Sequence, residues 1–286
     1  MNQDEKIKIQ AQIKSQAQRP GWSQAKVAIA AGVSKATISD MVNGKWDLIR
    51  DEMWRKVSAA LIAKPSEWRI AETADIRILH RVFRKAQKHS MSVGVSHQAG
   101  SGKTAAARTY VAGHDNAYHL ICAQSFTSRL FLIKLGKAMG LDVEGLRTWE
   151  VIETITSALE TSDKPLLILD EVDKLNDRTL LFFIEFYNRL EDKCGFILMG
   201  APYLRLRIEK GAIKDKMGFR EILSRLGKKF LPLKGAELAD IELICRENGI
   251  ETKAIITEIF NEYRDAGYDL RRVKRAIEVH KMKEVA

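Results

Sequence analysis

The stretch Gly94–Tyr110, GVSHQAGSGKTAAARTY, decides how the rest of the chain is read. Glycines at 100 and 102 let a backbone curl until its N–H groups point at phosphate oxygens, and a helix starting there aims its positive end at the same place. The apolar run Val93-Gly94-Val95 before the turn reads as a strand, and Ala105-Ala106-Ala107-Arg108 after it as a helix. Strand, glycine-rich turn and helix form the context a phosphate-binding loop requires. In this reading the backbone of Gly100, Ser101, Gly102 and Ala105 cradles the phosphates of ATP. Lys103 also holds the nucleotide by reaching the β- and γ-phosphates, and the Thr104 hydroxyl holds Mg²⁺. One departure stands out: His97 occupies the place of the opening glycine, which serves the turn leaving the strand.

Working outward, KPLLILDEVDKL (Lys164–Leu175) puts two carboxylates at the end of an apolar strand. Two acids are costly there unless a cation or hydrogen-bond donors meet them. Asp170 is expected to support Mg²⁺, and Glu171 to orient and activate the attacking water, as phosphoryl transfer requires. Asp173 reads as a capping or solvent-facing residue.

The 286 residues exceed one typical domain, and 45% hydrophobic content supports a packed core. A net charge of +10 suits a polyanionic partner. The three cysteines, Cys122, Cys194 and Cys245, form no CxxC pair, which favours a reducing compartment over a disulfide framework or zinc site. MNQDEKIKIQ has no apolar signal core, and no apolar run approaches membrane-spanning length, so a cytoplasmic protein with no membrane partner is expected. Strands alternate with helices from Met91 to Met199: Met91–Ser96, Tyr118–Ala123, Pro165–Leu169 and Phe196–Met199, with helices at Gly102–Val111, Ser128–Met139 and from the Asp170 region through Leu190. Such alternation indicates an α/β fold with a mainly parallel sheet. Helices alone follow Gly235. The expected domains are 1–67, with a boundary signalled by Pro65; 68–234, binding nucleotide; and 235–286, a helical lid.

The first domain has its own logic. In WSQAKVAIAAGVSKATISDMVNGK (Trp22–Lys45), Ala25, Val27, Ala28 and Ala31 pack one helix, Gly32 permits a tight turn, and Val33, Ile38 and Met41 anchor a second helix capped by Ser34. This resembles the helix-turn-helix of lambda-repressor-like proteins, with Lys35, Ala36 and Thr37 facing a DNA major groove and Gln24, Ser34, Asn43 and Lys45 flanking them. A helical protein-docking role is the alternative. Between Tyr203 and Lys234 ten Lys/Arg stand against three acids, a net of +7, and Lys228-Lys229 belong to this run. It and the segment bearing Arg77, Arg81, Arg84, Lys85 and Lys88 read either as sequence-independent DNA contacts or as solvated faces.

Taken in order, the repressor-like module, GKT followed by AAARTY, LILDEVDKL, FILMG, LSRL and DLRR resemble the AAA+ ATPases that capture target DNA for phage-type transposition. Transposon helper ATPases and helicase loaders are more distant relatives. The resemblance covers nearly the whole chain. It implies a P-loop NTPase (AAA+) fold with a C-terminal helical lid, largely nonspecific double-stranded DNA binding, self-association into an ATP-dependent filament, DNA-stimulated hydrolysis, and a transposase partner. By the same resemblance Arg225, in Ser224-Arg225, serves as an arginine finger acting on a neighbouring subunit, and Arg271 as the sensor 2 arginine of the lid; both also read as solvated surface charge. Ala201-Pro202 follows FILMG where a polar sensor 1 residue is expected, which implies slow hydrolysis. A helicase loader, and a non-hydrolysing helix-turn-helix regulator, are the alternative functions.

Overall fold

A computed structural model describes residues 1, 3–17, 23–47, 49–62 and 68–285. Trp22 and the boundary read at Pro65 lie outside the described residues.

The chain opens with α1 (Gln3–Ala17), α2 (Gln24–Ala31), α3 (Lys35–Val42) and α4 (Asp51–Ile62). Ser23 caps α2 by accepting from Lys26 N, and Gly32, at φ +64°, ends it in the left-handed region. Ser34 then caps α3 through Thr37 N. Ile13, Val27, Ala28, Ile38, Met41 and Trp54 close a small core between these helices.

Next come α5 (Ala74–His89), β1 (Ser92–Ser96), α6 (Lys103–Gly113), β2 (Ala117–Ile121), α7 (Ser128–Ala138), α8 (Thr148–Glu160) and β3 (Leu166–Asp170). A 3-10 turn at Val172–Lys174 leads to α9 (Asp177–Leu180), α10 (Phe182–Leu190), β4 (Gly195–Gly200), α11 (Pro202–Ile213), α12 (Phe219–Arg225) and β5 (Phe230–Leu231). The continuous helix expected after Asp170 is thus a turn and two helices, because Glu171, at φ +55°, starts the turn and Asn176 caps a fresh helix by accepting from Thr179 N. The two-residue β5 falls inside the run that reads as basic charge, and α8 lies between the expected helix at Ser128–Met139 and the expected strand at Pro165–Leu169.

All strands run parallel, in the order β2-β3-β4-β1-β5. Every residue of β3 and β4 is buried, as expected of strands covered on both faces. Leu167 and Leu169 of β3 join a core with α7, α8 and α10, while Leu166 and Ile168 point to the opposite core under α5 and α6. Gly195 allows α5 its close approach: a Cβ there would lie 2.5 Å from the Ala86 carbonyl oxygen. Order and direction place the ends of β1, β3 and β4 along one edge, where open α/β sheets bind ligands.

Helices α13 (Leu238–Glu247), α14 (Lys253–Asp265) and α15 (Leu270–Val285) form a separate cluster that also buries Ala71. Buried carboxylates join it to the sheet domain. Asp75 accepts from Lys234 N (3.1 Å) and Gly235 N (2.9 Å), and Asp240 accepts from Ala74 N (2.7 Å). Asp75→Ala strands two backbone N–H groups and should lower stability by about 1–3 kcal/mol. A urea or thermal unfolding midpoint equal to that of the wild type would contradict this. Among the described residues, no helix is long and apolar enough to cross a membrane.

Candidate nucleotide site

The loop after β1 begins as a continuation of the sheet. His97 N–H donates to Gly200 O (3.2 Å), extending the β1–β4 ladder by one bond. The φ angles that demand glycine fall at Gly100 (+75°) and Gly102 (+86°), not at His97. The opening glycine is therefore dispensable to this loop's backbone. Burial, with Lys103 beside it, pushes the His97 imidazole below its ordinary pKa.

Gly102 caps α6 with no side chain, so the helix's first N–H groups have no side-chain cap. Lys103 is buried, and its ammonium donates to His97 O (2.7 Å), Gln98 O (2.8 Å) and Ser101 Oγ (3.1 Å). Burial lowers its pKa and Asp170 acts against that. A desolvated cation held only by neutral oxygens is primed for a polyanion.

Thr104 Oγ1 donates to Asp170 Oδ2 at 2.6 Å, closing a 66-residue separation in sequence. Asp170 is 1% exposed, and its Oδ1 accepts from Glu171 N (2.9 Å). Burial alone would raise its pKa, but His119 and Thr104 together hold it below the ordinary carboxylate range. Glu171 carries the strained left-handed backbone, and its carboxylate is paired with Lys174.

Asp173 corrects its reading as a capping or solvent-facing residue. Its Oδ1 accepts from Ala201 N (3.0 Å), and a Cβ on Gly200 would lie 2.4 Å from the same oxygen. At the end of β4, where position 201 brings no polar side chain, the chain presents the Asp173 carboxylate. Only the tertiary fold brings these residues together, so no local pattern could have signalled it.

The C-terminal helices complete the enclosure. Leu270 N donates to Gly100 O (3.0 Å), and the Asp269 carboxylate fills the space a Cβ on Gly100 would need. Glycine at 100 thus serves both the turn and the approach of Asp269 and Leu270. The resulting cavity, of about 440 Å³, is lined by the apolar Trp68, Ile70, Ala71 and Ile244 and by Ser101, Lys103, Thr104, Ala105, Asp170, Glu171 and Arg271. Its size and its mixed apolar and charged lining suit a nucleoside triphosphate. Buried ammonium, hydroxyl and carboxylate are a fitting donor set for phosphate and a hard divalent cation.

The remaining expected residues lie elsewhere. Arg225 does not line the cavity of its own chain: it donates to Asn188 Oδ1 (2.6 Å), lies 5.2 Å from the Tyr187 ring centroid and faces Glu221. Lys228 and Lys229 are exposed at the turn before β5, and Gln24, Ala36, Asn43 and Lys45 are exposed on the N-terminal module. Ser34 and Thr37 are half-buried and joined to each other at 2.9 Å. Lys35 sits against the sheet domain: its N–H donates to Gly140 O (3.2 Å), and its ammonium is 6.0 Å from the Tyr118 ring centroid. Lys26 Nζ donates to Ala112 O (2.6 Å), in the last turn of α6, the helix that starts at Lys103.

Sheet order, phosphate loop and paired strand-end carboxylates define a P-loop ATPase domain of the AAA class, and residues 87–208 match the family described as AAA domain. The chain is similar to the ATP-dependent target DNA activator B of Escherichia phage Mu and to that of Escherichia phage D108. Each is 25% identical over 228 residues, spanning 77% of this chain and 70% of the relative. The solved structure of Drosophila ORC bound to DNA shares the fold, with a TM-score of 0.50 at 14% identity over 78% of this chain. The chain spans 59% of that protein's matched chain.

Proposed function

We propose that this chain is an ATP-dependent DNA-binding ATPase that assembles on duplex DNA, captures it as a transposition target and delivers it to a transposase. The observation that carries the reading is the meeting of Lys103, Thr104 and Asp170 in one cavity. The similarity to phage target DNA activators supplies the biological direction.

In this mechanism Lys103 exchanges its loop oxygens for phosphate oxygens, and the backbone N–H groups from Gly100 to Ala105 hold the rest. Thr104 and Asp170 form the Mg²⁺ side of the site, where the bound ion would neutralise charge on the β- and γ-phosphates. Glu171, released from Lys174, orients the attacking water and accepts its proton. Arg271 faces the same cavity from the lid, and Arg225 completes the site of a neighbouring copy. Gln24, Ser34, Lys35, Ala36, Thr37, Asn43 and Lys45 form the DNA-reading face, and Lys228 and Lys229 add sequence-independent contacts. For Lys35 to reach a groove, the module must lift from Gly140 and Tyr118.

Negative-stain microscopy of the full chain with duplex DNA tests this. ATP should produce regular filaments that are absent without nucleotide. Strong binding to one DNA sequence, indifferent to ATP, would favour a non-hydrolysing regulator instead; the apolar Ala201 and the Glu171–Lys174 pair are the observations on that side.

A further inference from the structure

Buried polar atoms are rarely left without a partner, and each exception asks for an explanation. His119 Nε2 is one. The residue lies on β2, two positions before Ile121, which pairs with Asp170 in the neighbouring strand. Side chains two apart on a strand share a face, so the fold stations the imidazole beside the Asp170 carboxylate, 3.5 Å from Oδ2. That distance is slightly too long for a hydrogen bond.

The acceptor positions on Asp170 make sense of the gap. Oδ1 is engaged by Glu171 N–H, and Oδ2 by the Thr104 hydroxyl. A carboxylate oxygen has a second lone pair, so Oδ2 can still accept from His119 Nε2, its neighbour at 3.5 Å. Hydrogen bonds at such sites are commonly long without ligand and tighten when it arrives.

Resting on the nucleotide-site reading above, we propose that His119 is a positioning residue for Mg²⁺–nucleotide: its Nε2–H closes onto Asp170 Oδ2 in the loaded state. It thereby fixes the carboxylate that orients the Thr104 hydroxyl. The imidazole touches neither nucleotide nor ion. Outer-shell partners of this kind tune metal affinity by about 10–100-fold.

The test separates magnesium dependence from nucleotide affinity. ATPγS binding to the full chain is followed by calorimetry across a MgCl₂ series and again in EDTA. His119→Ala should raise the half-saturating Mg²⁺ concentration about tenfold while leaving affinity in EDTA unchanged, and His119→Gln, which retains an N–H donor, should restore most of the loss. Thermal melts establish that each variant is folded; should His119→Ala fail to fold, the same comparison is made between His119→Gln and His119→Leu. Wild-type Mg²⁺ dependence in a folded variant lacking the donor overturns the inference alone, as does an equal loss of affinity in EDTA. A wild-type chain that binds no ATPγS sinks this inference and the nucleotide-site reading together.

Discussion

Lys103→Ala weakens ATP binding by about 100-fold or more and removes the ATP dependence of DNA binding. The ammonium is already desolvated, so moving from loop carbonyls to phosphate oxygens needs little further dehydration. Charge-assisted hydrogen bonds contribute about 1.5–3 kcal/mol each, and two lost to phosphate come to roughly 3 kcal/mol or more, hence the factor of 100. The fold should tolerate the change, because the carbonyls left behind belong to half-buried His97 and exposed Gln98. Calorimetry gives the affinity and fluorescence anisotropy with labelled duplex gives the DNA response. A Lys103→Ala chain that still binds DNA only when ATP is present would remove Lys103 from the account.

Glu171→Gln acts later. The variant should bind ATP with near wild-type affinity, hydrolyse it about 10²–10⁴-fold more slowly, and stay longer on DNA. Glutamine can keep a contact to the water but cannot accept its proton. The structure adds a condition: the Glu171 carboxylate is paired with Lys174 and must leave it. That pair is partly exposed, and exposed pairs contribute only ~0–1 kcal/mol, so its release is a small barrier. Single-turnover hydrolysis measured beside ATP affinity separates the two effects. Unchanged turnover would move the role of base to another group, with Asp173, which lines the same cavity and is bonded to Ala201 N, a candidate.

How much of this was legible depended on how local each signal was. The loop could be read because two glycines with left-handed φ, a lysine and a threonine fall within five residues. Asp170 was legible because an acid ending a fully apolar strand contradicts its surroundings. His97 raised a doubt about the loop that its backbone removes. What remained hidden is tertiary. His119 reads as one polar residue in a short strand until β2 is laid beside β3. Asp75 looks like a helix-start acid until Lys234 and Gly235 arrive at it. The edge strand β5 has two residues and no periodicity to detect. For the N-terminal module, core residues and caps follow from spacing, whereas the seating of Lys35 on Gly140 depends on a surface roughly a hundred residues away.

The cavity at the ends of β1, β3 and β4 is proposed to hold a magnesium-bound adenine nucleotide. The most direct measurement is a calorimetric titration of ATP into the purified full chain, with and without MgCl₂. One saturable site per chain, markedly tighter with magnesium, is the predicted result; no heat of binding in either condition, from protein shown to be folded, would contradict it.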